Sequence, residues 1–264
     1  MKIFIDAVGL AAPGLSSWTE ALPVLRGEQA YEAQELDRYK PEQLPANERR
    51  RATDLVRMAF RVCEDLLRDN PVSIRRCAAV FASSGGDYPI IDQICKALCE
   101  PERLVSPTQF HNSVHNSAAG YWSIATGSRA PSTSISAFDD TFAAGLLEAA
   151  SLCAIEQLPT ILAVYDIKPP EPLQSKRPIT LDFGVAFLLS PVESTRSLAQ
   201  LTLTPAALAA GTPAQVEALE AMRLSNPAAR SLPLLELIAR RQAGQLLLDA
   251  NNNPTTIVEV TPCP

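Results

Sequence analysis

The sequence predicts a layered α/β fold. Three features carry that expectation. A short run that is apolar from end to end, residues 77–82 (CAAVFA), reads as a strand buried on both faces, and residues 160–165 (TILAVY) read as a further strand. Longer segments between them repeat apolar residues every three or four positions, the helical period. The two kinds alternate through the first 190 residues, as they do where each strand returns to one sheet through a helix.

Taken in order, residues 2–10 (KIFIDAVGL) form a mostly buried strand and 11–14 (AAPG) a turn. Ser17-Trp18-Thr19-Glu20 has the Ser-x-x-Glu spacing in which each side chain satisfies a backbone N–H at a helix start. A short helix therefore opens there and stops near Gly27. After a proline-spaced loop, a long helix is expected from about residue 47 to 69, with Leu55, Val56, Ala59, Val62, Cys63, Leu66 and Leu67 on one face. The strand at 77–82 ends in Ser83-Ser84-Gly85-Gly86-Asp87, and helices follow over 88–98 and 113–126. Residues 132–137 (STSISA) form a strand, Phe138-Asp139-Asp140 a sharp turn, and 141–156 a helix. Strands at 160–165 and 184–189 (GVAFLL) complete the alternating part. The remainder differs: 201–204 is a candidate strand, 232–243 a helix, and 245–249 with 255–260 a terminal hairpin around Asn251-Asn252-Asn253.

Composition narrows the class. The chain has 264 residues, 47% hydrophobic and 20% charged, with a net charge of −6. That apolar fraction excludes a disordered chain, and the acidic balance argues against nucleic acid, since no basic excess is on hand to neutralise phosphates. No run reaches the ~18 apolar residues of a membrane span. Asp6 interrupts the first apolar run, so the N-terminus reads as a strand and not a secretory signal. Cys63, Cys77, Cys95, Cys99, Cys153 and Cys263 then read as buried free thiols of a cytoplasmic protein.

Several motifs invite chemistry. Cys95-x3-Cys99-x11-His111-x3-His115 is close to the ligand spacing of a Cys2His2 zinc site. The cysteines fall within an amphipathic helical run, however, so two core-facing cysteines one turn apart are preferred and no metal is expected. The strand-turn-helix at 132–148 has the shape in which acyl-transfer enzymes hold a nucleophile, with a helix N-terminus to stabilise an anion. The turn carries Asp139 and Asp140 and no cysteine, so helix capping is the preferred role for both. Ser83-Ser84-Gly85-Gly86-Asp87 is a weak match to a phosphate loop because no Lys follows, and a plain turn is preferred. Glu48-Arg49-Arg50-Arg51 reads as a solvated helix end. His111 and His115 are the only histidines, and structural hydrogen bonding is preferred over general-base work.

Read together, these stretches meet one family. Residues 116–127 (NSAAGYWSIATG) and 130–137 (APSTSISA), followed by the sharp turn, resemble the β-ketoacyl synthases of the thiolase-like superfamily. There a helix ending in Ser-Ile and Gly leads to a Gly-Pro-Ser strand, the nucleophilic Cys and a helix. Residues 44–51 (LPANERRR) and 110–116 (FHNSVHN) resemble the short chain-length-factor subunits of aryl polyene pigment clusters. The resemblance implies one thiolase-like domain over 1–264, its first half (1–190) complete and its second (191–264) truncated, with 246–260 as the closing hairpin. It puts Asp139 at the nucleophile position, so the family's Cys is missing. The family's two further histidines come from the second half, and no histidine follows residue 115 here. No catalytic residue and no cofactor carry over.

The family dimerises by pairing the strand before the nucleophile. That implies an interface at Ser132, Thr133, Ser134, Ile135, Ser136 and Ala137, with His115 and Asn116 and the helix at 113–126. The leading expectation is a non-catalytic partner of an active β-ketoacyl synthase, reaching acyl carrier protein through the complex and shaping the pocket for a growing chain. Two other classes stay open: a free-standing acyl-transfer or hydrolytic enzyme using Asp139 or His115, and a zinc-binding module.

Overall fold

The structure, a computed structural model, describes residues 1–68, 70, 72–206, 210–248 and 256–264. The strands are β1 (Lys2–Ala11), β2 (Ala78–Ala82), β3 (Ser132–Ile135), β4 (Thr160–Asp166), β5 (Phe183–Ser190), β6 (Ala199–Pro205), β7 (Gly244–Leu248) and β8 (Thr256–Pro262). The helices are α1 (Trp18–Arg26), α2 (Ala46–Arg51), α3 (Asp54–Leu67), α4 (Tyr88–Cys99), α5 (Pro107–Asn112), α6 (Ser117–Thr126), α7 (Thr141–Glu156), α8 (Glu217–Ser225) and α9 (Leu232–Arg240). The strands form one eight-stranded sheet in the order β3-β2-β4-β5-β1-β6-β8-β7. β2 runs parallel to β3 and β4, and every other pairing is antiparallel. Parallel neighbours need a crossover. The segment from α4 to α6 supplies one and α7 the other.

Alternation along each strand divides the core into two layers. Val80, Ala82, Leu162 and Val164 pack on the face that carries Phe142 and Leu146 of α7. Ala79, Phe81, Ile161, Ala163 and Tyr165 pack on the other face, with α3 and α6. This is why β2 is apolar throughout and β4 is apolar between Thr160 and Asp166 at its ends: both faces are covered. Trp122 of α6 fixes that layer, its ring 5.4 Å from Phe60 and 6.2 Å from Phe81. Edge-on aromatic pairs of this kind add about 1 kcal/mol each beyond burial.

Several boundaries differ from the expectations. The long helix of 47–69 is two helices, because Ala52 is extended and Thr53 caps a new start, its side chain accepting from the Val56 N–H. Ser17 caps α1 as expected, but Glu20 bonds Ser16 instead of completing the reciprocal pair. The helix expected over 113–126 begins only at Ser117, and α5 precedes it, capped by Ser106 with Pro107 in its first turn. α8 has no counterpart among the elements expected from sequence. α9 ends at Arg240, where Arg241 turns left-handed, short of residue 243. β7 and β8 pair antiparallel as a hairpin, while its Asn251-Asn252-Asn253 turn lies outside the described residues.

Candidate functional site

The sharp turn after β3 is built locally. The chain passes through a 3-10 turn, Phe138–Asp140, before α7 begins. Phe138 sits at φ 55°, the left-handed region that bulky residues seldom adopt, so the surroundings must hold it there. Thr141 supplies part of that hold: its hydroxyl accepts from the Ala137 N–H at 3.1 Å and donates to the Phe138 carbonyl at 2.7 Å. This corrects the expectation that Asp139 and Asp140 cap α7. Asp140 is buried and makes no side-chain capping bond.

Asp139 instead accepts from Arg177 Nη1 at 2.5 Å. The same guanidinium lies 3.7 Å above the Phe138 ring centroid. Arg177 is only 9% exposed, and its Nε and Nη2 are buried without hydrogen-bond partners. A guanidinium held this way is stabilised by the carboxylate and by the aromatic face. The turn is therefore an ion-paired lock on a buried arginine. A cleft of about 210 Å³ opens beside it, with Ile179, Asn226 and Arg230 in its wall.

A second carboxylate lies below, at the C-terminal ends of the parallel strands. Asp166 is 1% exposed. Its Oδ1 accepts from Ser83 Oγ at 3.1 Å, the Ser84 N–H at 2.8 Å and Ser84 Oγ at 2.8 Å. Burial pushes its pKa up to about 6, against the pull of those bonds and of Arg177. The Ser83-Ser84 loop thus holds one of the protein's own carboxylates, and Asp87 caps α4 by accepting from the Ile90 N–H at 3.1 Å. Neither Arg177 nor Asp166 was singled out from sequence. The available signal was an acidic residue closing the apolar run of β4.

His115 is half-buried, and its Nε2 lies 3.1 Å from the Ser83 carbonyl. A carbonyl only accepts, so Nε2 carries the proton and this nitrogen is committed to a structural bond. His111 is exposed, edge-on to Tyr121 at 6.3 Å. Cys95 and Cys99 are exposed, which corrects their reading as core-facing: α4 packs lightly and buries only Ile90 and Asp92. Cys63, Cys77, Cys153 and Cys263 are buried, and burial raises Cys77 and Cys153 to about 11. Among the described residues no three His, Cys, Asp or Glu side chains gather as metal ligands would, and no helix is long and apolar enough to cross a membrane.

β3 forms one edge of the sheet. The Pro131 and Ile135 carbonyls accept from Ala79 and Ser83 of the β2 side. Alternation then turns the main-chain groups of Ser132 and Ser134 outward, away from β2. Ile135 points inward, packed against the core beneath α7. The helices packed on β3 from its two faces each carry exposed apolar side chains: Ile124 on α6, and Leu147 and Ile155 on α7. Phe110 and Val114 extend the α6 side, and Asn116 lies exposed at its start.

Comparison with known proteins gives this arrangement a lineage. The family model described as the β-ketoacyl synthase N-terminal domain matches residues 25–250. A chain of the ketosynthase ApeO in complex with its chain length factor ApeC, from Xenorhabdus doucetiae, is similar at 24% identity and a TM-score of 0.73, over 99% of both chains. A chain of the ishigamide ketosynthase/chain length factor is similar at 13% identity and a TM-score of 0.76, over 100% of both. Against the ketosynthase from module 6 of the bacillaene synthase of Bacillus subtilis 168, 81% of this chain aligns with 43% of that one, at 11% identity and a TM-score of 0.57. The fold is thus shared at full length with short relatives and covers under half of that longer ketosynthase chain. No curated protein sequence matches this one. With its model spanning most of the sequence and the same fold in its relatives, the chain belongs to the β-ketoacyl synthase family.

Proposed function

We propose that the chain is a non-catalytic subunit of the chain-length-factor type. It pairs with an active β-ketoacyl synthase in polyketide-type elongation of the aryl polyene or fatty-acid kind, and meets acyl carrier protein through that complex. The observation that carries this reading is the open edge at β3, with the main-chain groups of Ser132 and Ser134 turned outward and exposed apolar residues on the two helices, α6 and α7, that pack on it. An edge of this kind is a liability unless another strand covers it. The interface implied by the family runs over Ser132, Thr133, Ser134, Ile135, Ser136 and Ala137, with His115 and Asn116 beside it. Its area should fall in the obligate range, roughly 2,000 Å² or more.

The turn supports the non-catalytic part. Asp139 is bonded to a buried Arg177, and the His115 Nε2 proton goes to a main-chain carbonyl. A free-standing acyl-transfer or hydrolytic enzyme using Asp139 or His115 has no observation in its favour. The chain acts instead as a wall: its fold completes the partner's site and its shape limits the acyl chain held there. We take the substrate to remain on the partner's nucleophile throughout.

The test uses Ile124→Glu, because Ile124 is 58% exposed and its loss costs the isolated chain little. The variant should fold alone, yet fail to co-purify with an active β-ketoacyl synthase from the same source and fail to support product formation. A buried unpaired carboxylate costs several kcal/mol at such an interface. Wild-type chain incubated with short-acyl carrier protein should show no adduct by intact mass. Unchanged pairing and product, or an acyl adduct on this chain, would overturn the reading.

A further inference from the structure

Gly120 lies in the middle of α6, where glycine is the poorest helix former after proline. Other glycines have a local reason. Gly27 sits at φ 74°, and a Cβ at Gly9 would come within 2.0 Å of the Val62 carbonyl oxygen. Gly120 has neither: a Cβ there would meet no atom within 4 Å, and the position is exposed. The fold of this chain alone gives no reason to keep it small.

The space over Gly120 is the floor of a groove between α5 and α6, about 490 Å³ in volume. Phe110, Val114 and Ile124 form its rim, all more than half exposed. Tyr121 lines it, 3% exposed, its hydroxyl beside the Asn112 side chain but completing no hydrogen bond of good geometry. The lining holds no Lys, Arg, Asp or Glu, so an acidic carrier protein finds no fixed positive charge there. The groove calls for an apolar occupant.

Continuity with β3 says which. α6 packs on β2 and β3, the edge pair of the sheet. A partner of the same fold that adds its own edge strand to β3 must bring its own equivalent helix layer alongside α6, as an isologous contact requires. Packed helices normally lie 8–10 Å apart, about the distance that side chains at the contact impose, and a glycine lets the partner come closer.

We propose that Gly120 is the close-approach point of the heterodimer, where an apolar side chain from the partner ketosynthase's equivalent helix enters the α5–α6 groove. This rests on the reading that the chain pairs with a ketosynthase, and adds the specific contact. The distinguishing feature is a sign: Gly120→Ala improves the isolated chain and harms the complex. Helix propensity should raise the Tm of the chain alone by about 2–4 °C.

The experiment co-expresses wild type, Gly120→Ala and Gly120→Leu with an active β-ketoacyl synthase from the same source. It measures heterodimer by native mass spectrometry and dilution, and the Tm of each chain alone. Overpacking should weaken pairing roughly tenfold for Gly120→Ala and more for Gly120→Leu. Should Gly120→Leu fail to fold, Gly120→Ala decides, since its one added carbon meets nothing within the chain. Wild type that pairs while both variants pair equally well overturns the groove contact and leaves the subunit reading intact. Wild type that does not pair at all overturns both, and wild type that instead pairs with a second copy of itself overturns the assignment of the partner.

Discussion

Removing the Asp139 carboxylate tests whether the turn is a structural lock. Asp139→Ala leaves Arg177 Nη1 without its 2.5 Å acceptor while Nε and Nη2 already lack partners. A hydrogen bond to a charged group contributes about 1.5–3 kcal/mol, and stranding a buried charge costs about 3–5 kcal/mol. The Asp139 side chain is 26% exposed, so water can replace part of what it gives, and the lower end, about 2 kcal/mol, is expected. For a chain of this size that lowers Tm by about 4–8 °C. Asp139→Asn keeps an acceptor and should lose about half as much. Arg177→Met removes the charge that needed the partner, so the double variant Asp139→Ala/Arg177→Met should be more stable than the sum of the single losses, by about 1 kcal/mol or more. The assay is reversible unfolding of wild type and these four variants by denaturant and by scanning calorimetry. A shift below about 1 °C for Asp139→Ala, or strict additivity in the cycle, would refute the lock.

Other outcomes follow from the same structure. Asp166 binds a proton more tightly when folded, with a pKa of about 6 against 3.8, so its contribution is fully present below the unfolded value and is lost as pH rises through about 6. That fall is about 2.4 kcal/mol between pH 4 and pH 7. Asp166→Asn should flatten that slope relative to wild type in denaturant titrations at several pH values, and parallel slopes would contradict it. In the isolated chain, Cys95 and Cys99 should react with a thiol reagent in seconds to minutes while Cys63, Cys77, Cys153 and Cys263 wait for unfolding. Chelator-free protein should hold well under one equivalent of zinc. One tightly held equivalent, lost on changing His111 or His115, would reverse that reading.

Much of the frame was legible because it depends on local periodicity. The wholly apolar run at β2 and the alternation of strand and helix sufficed for an α/β sheet, and the block from residue 116 to 137 carried the family. Boundaries slipped where one or two residues override a pattern. Thr53 restarts a helix that the apolar spacing of α3 carries straight through, and Ser106 with Pro107 starts α5 in what read as a loop. Cys95 and Cys99 have helical spacing, but spacing says nothing of whether a helix is covered, and α4 is not.

By itself the sequence determined the sheet-forming runs, the family, and the absence of cysteine at the turn, because each is written in contiguous residues. Only the tertiary structure decided what replaced it. Arg177 meets Asp139 from 38 residues away, Asp166 meets Ser83 and Ser84 from 83 and 82, and neither pairing has a local signature. The same holds for Gly120, whose lack of any neighbour is a property of the space around α6. Long-range charge pairing and empty space arise from how layers stack, and a one-dimensional pattern carries only the faces that do the stacking.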